Sequence, residues 1–202
     1  MDVASEKRRL RVRLRGTRAA IASDRIASMS SALARHVQSS PAWTGAAAIA
    51  GFVGVKGEPD TRELLAAALA GGKALWLPRV LGPSEIGFAR VQALAELVPG
   101  GFGLLEPPLD ARFLALAEIP LDVVLVPGLA FTSAGVRLGF GRGYYDRAFT
   151  AGTPAATPVR IGVCFAEFLD IAELPSEPHD VAMHFVATDA GLIRCTPQER
   201  AR

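Results

Sequence analysis

The chain has 202 residues, half of them apolar and 21% charged, with a formal net charge of +2. That much apolar surface supports a folded core and excludes a disordered chain. The longest apolar stretches, Ala46–Val55 and Ala66–Leu77, are broken by glycine or charge well short of the ~20 residues that cross a bilayer, so no membrane span is expected. Residues 1–18 hold seven basic residues against Asp2 and Glu6, while the remainder is mildly acidic. A cationic arm on such a body points to an anionic ligand, a phosphate on either a small molecule or a nucleic acid, or else to a solvated helix face. No apolar segment follows the first basic residues, so no secretory leader is expected. Cys164 and Cys195 fit no metal spacing and read as reduced thiols of a cytosolic protein.

In chain order, residues 5–20 read as a helix with an apolar stripe at Leu10, Leu14, Thr17 and Ile21 and with Lys7, Arg11, Arg15 and Arg18 on another face. A second helix starts at a Ser23-Asp24 cap and runs to about Gln38, with Ile26, Met29, Leu33 and Val37 facing inward; Pro41 closes it. Ala46–Val53 reads as a strand buried on both faces. Thr61–Leu69 reads as a helix starting at an Asp60-Thr61 cap, Ala74–Leu77 as a strand, and Ile86–Ala89 as another. Leu121–Val126 is a buried strand ending at Pro127-Gly128. Tyr144–Phe149 opens a helix, Val159–Phe165 is a strand, and Val181–Ala187 closes the sheet. Strands alternating with helices predict a single α/β domain over residues 1–202: three layers, a mostly parallel central sheet, helices on both faces. Ligands of such sheets sit beyond the carboxyl ends of the strands. That rule selects the loops Gly54–Thr61 and Pro127–Asp146.

The second loop carries the clearer chemistry. Gly139, Gly141 and Gly143 alternate with Phe140 and Arg142 and lead into the helix at Tyr144, an arrangement that frees backbone amides for an anion. Arg137 and Arg142 flank the turn as counter-charges for phosphate, and Asp146 lies where a magnesium ion would want an oxygen ligand. The spacing fits neither the dinucleotide glycine fingerprint nor the P-loop.

The segment Val126–Phe131 together with Arg137–Arg147 resembles the signature of the 5-formyltetrahydrofolate cyclo-ligase (5,10-methenyltetrahydrofolate synthetase) family. Lys7-Arg8-Arg9-Leu10-Arg11, Gly57–Thr61, Gly101–Pro107 and His179-Asp180 are similar to its other motifs, in order along the chain. The resemblance implies a cytoplasmic, ATP- and magnesium-dependent ligase of one-carbon metabolism, forming 5,10-methenyltetrahydrofolate through a phosphorylated formyl group. It implies an ATP site made of Lys7, Arg8, Arg9, Leu10, Arg11, Arg137, Leu138, Gly139, Phe140, Gly141, Arg142, Gly143, Tyr144 and Tyr145. Lys7, Arg11 and Arg142 are the expected catalytic residues. Folate would meet Val53, Glu58, Phe140, Gly141, Arg142, Gly143 and Tyr144, and magnesium would meet Asp146 and Asp180. Expected partners are these small molecules, with no nucleic acid and no membrane, and the chain is expected to be a monomer. Thr132, His184 and Phe140 depart from residues frequent in the family, the first two at places where a carboxylate is common. His179 is expected to hold the loop carrying Asp180 rather than to act as a base.

Overall fold

A computed structural model describes residues 2–55, 57–151, 157–171 and 173–196. The cationic segment is helix α1 (Val3–Ala19), started by the Asp2 carboxylate, which accepts from the Ser5 amide at 2.6 Å. Its buried stripe is Lys7, Leu10, Leu14 and Arg18. The expectation for Thr17 is corrected: it is exposed, and Arg18 takes its place one residue on, because the long aliphatic stem of arginine packs where threonine would leave space. Helix α2 (Ser23–Gln38) has the expected bounds but no Ser23 cap; Ala22 occupies the N-cap position and makes no side-chain bond. Pro41 does not merely close α2 but opens α3 (Pro41–Thr44) behind the Ser40 hydroxyl, which accepts from Trp43 N. Helices α4 (Arg62–Ala70) and α5 (Tyr144–Thr150) complete the set.

Eleven strands follow in chain order: β1 (Ala48–Ala50), β2 (Ala74–Val80), β3 (Ile86–Val91), β4 (Val98–Pro99), β5 (Leu105–Glu106), β6 (Val123–Pro127), β7 (Ala130–Phe131), β8 (Arg137–Leu138), β9 (Val159–Val163), β10 (Phe185–Thr188) and β11 (Gly191–Arg194). Seven form one sheet in the order β11-β10-β9-β6-β1-β2-β3, and β4 with β5 and β7 with β8 form two small ribbons. The five central strands are parallel, while β3 and β11 pair antiparallel at the two edges. Alternate residues face two separate cores. Val124 and Val126 meet Leu10, Leu14 and Tyr145 on the α1/α5 face; Val123 and Leu125 meet Leu33, Val37 and Leu64 on the α2/α4 face. The three-layer expectation holds.

All six expected strands shift at one or both ends: β2 and β3 run on to Val80 and Val91, β9 stops at Val163, β10 begins only at Phe185, and the changes at β1, at β6 and at the close of the sheet have clear causes. The 46–53 run pairs only over Ala48–Ala50 because the chain then leaves the ladder: the buried Thr61 hydroxyl donates to the Phe52 carbonyl and accepts from Gly54 N, clasping both ends of the following loop. Thr61 therefore closes that loop rather than capping α4. Leu121 and Asp122 precede β6, and the Asp122 carboxylate accepts from the amides of Ala47 and Ala48 at 2.7 and 2.9 Å, fixing the start of β1. The sheet closes on β11 rather than on β10; its short half-buried sequence gives no two-sided burial signal. Between β1 and β6 the strand order reverses direction, with β2 and β3 on one side and β9 to β11 on the other. A crevice opens above the carboxyl ends of strands at such a switch point.

Candidate active site

A cavity of about 1320 Å³ lies over that switch point, walled by α1, the loop after β1, the end of β2, the glycine loop before α5, and the Glu177–Asp180 segment. Helix α1 runs along it. At one end the buried Lys7 ammonium donates to Glu177 Oε2 at 2.8 Å and Asp180 Oδ2 at 2.6 Å. Burial works against its charge, but the two carboxylates outweigh burial and raise its pKa. In mid-helix, Arg11 Nε donates to the Gly139 carbonyl and Arg15 Nη2 to that of Phe140, each at 2.9 Å. At the far end Arg18, 2% exposed, donates to the Gly128 carbonyl at 2.6 Å and lies 3.9 Å from Glu58 Oε1.

The glycine loop turns through left-handed backbone at Gly141 (φ +100°) and Gly143 (φ +66°), which only glycine adopts cheaply. Arginine side chains engage its carbonyls, Gly139 and Phe140 from α1 and Arg142 from Arg147 Nη2 at 2.7 Å. The amide side of the turn is thereby the part left to meet an anion. Arg137 Nη2 pairs with Asp146 Oδ2 at 2.7 Å, and Asp146 Oδ1 accepts from Val181 N at 3.4 Å, beside Asp180. Glu58, with its side chain 9% exposed, accepts from Val55 N at 3.0 Å. Burial pushes its carboxyl up to about 7, against the opposing pull of the Val55 amide and Arg18.

Most residues singled out in the sequence meet in this one cavity: Lys7, Arg8, Arg11, Val53, Glu58, Arg137, Gly139 to Asp146, and Asp180 all line it. Three do not. Leu10 and Leu138 are buried in the α1/α5 core, so their side chains pack rather than bind, and Arg9 is exposed on the outer side of α1 beside Val12 and Arg13. Arg142 is exposed at the cavity rim. Tyr145 packs edge-on to Phe88 under the loop, whereas Tyr144 stays half-buried with its hydroxyl donating to the Gly82 carbonyl at 3.3 Å. His179 does not hold its loop. Its side chain is 70% exposed, and the Asp180 carboxylate does the holding by accepting from Glu177 N at 2.7 Å. The unusual Thr132 and His184 have local roles: Thr132 Oγ1 accepts from Val136 N, and His184 Nδ1 accepts from Arg160 N. Sequence reasoning missed Glu177, Arg15 and Arg18 as parts of the site. Glu177 lies three residues before Asp180, a signal that spacing offered; Arg18 was masked by the general cationic character of α1.

An open doubly wound sheet with a cavity over its switch point, lined by charged as well as apolar side chains, is the architecture of an α/β protein that binds a small ligand there. The 5-formyltetrahydrofolate cyclo-ligase family profile matches residues 3–189. The 5-formyltetrahydrofolate cyclo-ligase of Mycolicibacterium smegmatis is 35% identical over 154 residues, 72% of this chain and 75% of that protein. That of Escherichia coli K12 is 32% identical over 180 residues, 87% and 96% of the two chains. The solution structure of Aquifex aeolicus 5,10-methenyltetrahydrofolate synthetase superposes with a TM-score of 0.79 at 28% identity, covering 97% of this chain and 96% of that one. The chain belongs to the 5-formyltetrahydrofolate cyclo-ligase family. It is a ligase of folate metabolism. Among the described residues no helix is long and apolar enough to cross a membrane.

Proposed function

We propose that the chain uses ATP and magnesium to close 5-formyltetrahydrofolate to 5,10-methenyltetrahydrofolate, releasing ADP and phosphate. The observation that carries this reading is one cavity with two chemically different ends: cations and carboxylates around Lys7, and the buried Glu58 carboxyl beside Arg18. The formyl oxygen is a poor leaving group. It attacks the γ-phosphorus, ADP leaves, and the formyl carbon becomes an electrophilic imino-phosphate. N10 then attacks that carbon, loses its proton, and phosphate departs as the ring closes. Lys7, Arg11 and Arg142 would neutralise and orient the triphosphate, and the amides of Gly139–Gly143 would cradle it. Glu58 would accept hydrogen bonds from the pterin edge, with Val53 and Phe140 packing on the ring. Tyr144 would border the folate as well.

The donor set suits magnesium. Glu177, His179 and Asp180 each offer a ligand atom within 4.8 Å of the others, and two of these are carboxylate oxygens, the hard donors that ion prefers. Asp180 and Glu177 would hold it, with Asp146 approaching from the glycine loop. Bound there, magnesium would screen the phosphate oxygens and lower the barrier to attack. The chain would act in the cytoplasm as a monomer, without nucleic acid or membrane.

Ring closure is followed by the absorbance of the methenyl product. It is expected only with ATP and magnesium both present, and an equal rate with either omitted would refute the reading. Asp146→Asn keeps the shape but removes the counter-charge of Arg137, whose side chain is 7% exposed. The variant is expected to lose roughly 3 kcal/mol of stability, the usual consequence of breaking a buried pair, and to need more magnesium for half-maximal rate. A lower melting temperature with an unchanged magnesium midpoint would leave Asp146 a purely structural role.

A further inference from the structure

We propose that Arg18 is a positioning residue for the folate half of the reaction, fixing Glu58 and joining the loops that follow β1 and β6. The proposal rests on the reading of Glu58 as a folate ligand. Arg18 has no place in the phosphate chemistry, since it lies at the opposite end of α1 from Lys7. It is nevertheless among the most buried charged residues described, and a buried guanidinium needs compensation. Four contacts surround it. Nη2 donates to the Gly128 carbonyl in the loop after β6, and Nη1 faces Glu58 in the loop after β1. The guanidinium stacks 4.9 Å from the centre of the Phe168 ring. Its own backbone carbonyl abuts Gly57, where a Cβ would stand 2.7 Å away and φ is +82°, so the turn presenting Glu58 is moulded against the end of α1.

Among the described residues, Nε and Nη1 of Arg18 find no hydrogen-bond partner. Glu58 is the carboxylate near them among the described residues, and at 3.9 Å it is close enough to be oriented without being consumed in a tight bidentate pair. It therefore keeps acceptor capacity for a ligand. The groups bearing on this pair are few. Tyr145 from α5 has its phenol pushed up by burial, and Cys164 after β9 has its thiol pushed up to about 12, so both are neutral and, among the described residues, Arg18 is the charge that faces Glu58. Arg18 favours the ionised carboxylate against the burial that disfavours it.

The test is the affinity for 5-formyltetrahydrofolate, without nucleotide, measured by calorimetry between pH 5.5 and 9. Wild type is expected to lose affinity as the pH falls through about 7. Arg18→Met is expected to move that loss upward by about one pH unit and raise KM for folate while leaving KM for ATP alone. Arg18→Lys retains the charge but reaches only one of Glu58 and Gly128. It is expected to keep the wild-type pH midpoint with severalfold weaker binding, which decides the matter if the methionine variant does not fold. Glu58→Gln is expected to bind weakly at every pH. An Arg18→Met protein with an unmoved midpoint, or an Arg18→Lys protein with wild-type affinity, overturns the proposal while leaving Glu58 as folate ligand. Unchanged folate affinity in Glu58→Gln overturns both.

Discussion

Lys7→Met is expected to weaken ATP binding by tenfold to a hundredfold or more and to lower the melting temperature of the unliganded protein. The ammonium is buried and makes two charge-assisted bonds, to Glu177 and Asp180. Each such bond contributes ~1.5–3 kcal/mol, and losing the cation leaves two carboxylates facing one another with nothing between them. The unliganded protein should therefore lose several kcal/mol, on the scale of a broken buried ion pair. Nucleotide binding suffers separately, because the γ-phosphate loses a counter-charge. Arg9→Ala and Arg13→Ala serve as controls. Both residues are exposed on the outer face of α1, and both variants should bind ATP as wild type does. Calorimetric ATP titration alongside thermal melting separates the two effects. A Lys7→Met protein with wild-type ATP affinity would make the helix a structural strut only.

Glu58→Gln is expected to weaken 5-formyltetrahydrofolate binding at least tenfold at pH 8, to spare ATP, and to change how stability depends on pH. A carboxyl raised to about 7 in the folded chain from an ordinary value of 4.5 binds its proton more tightly folded than unfolded. Its contribution to stability is thus complete below pH 4.5 and is lost as the pH rises through 7, up to roughly 3 kcal/mol from the size of that shift. Glutamine has no proton to lose. The variant should gain on wild type steadily between pH 5 and 8, a crossing pattern visible in paired denaturant melts. Parallel pH profiles for the two proteins would show that Glu58 is not the buried titrating group.

Much of this was legible in the residues. The alternation of apolar strands and amphipathic helices gave the layers, and the glycines with Arg137 and Asp146 marked the loop over the switch point. Strand ends were not legible, because they depend on partners distant in the chain. Thr61 closes the loop after β1 by bonding Phe52, and Asp122 sets the start of β1 from across the sheet. Within α1, charge alone misled. Lys7 and Arg18 share the buried stripe with the leucines, and only the folded carboxylates and carbonyls around them explain why cations are stable there. Arg18 acts through Gly128, 110 positions away in sequence, so no local pattern points to it, whereas Glu177, three residues before Asp180, was within reach of spacing.

In the proposed reaction the γ-phosphoryl group of ATP passes to the formyl oxygen inside this cavity. The most direct measurement uses 5-formyltetrahydrofolate carrying ¹⁸O in the formyl group, with ATP and magnesium, followed by mass analysis of the inorganic phosphate released. Transfer to the formyl oxygen requires one labelled oxygen in each phosphate formed per methenyl product. Unlabelled phosphate, with the ¹⁸O in water instead, would exclude that transfer.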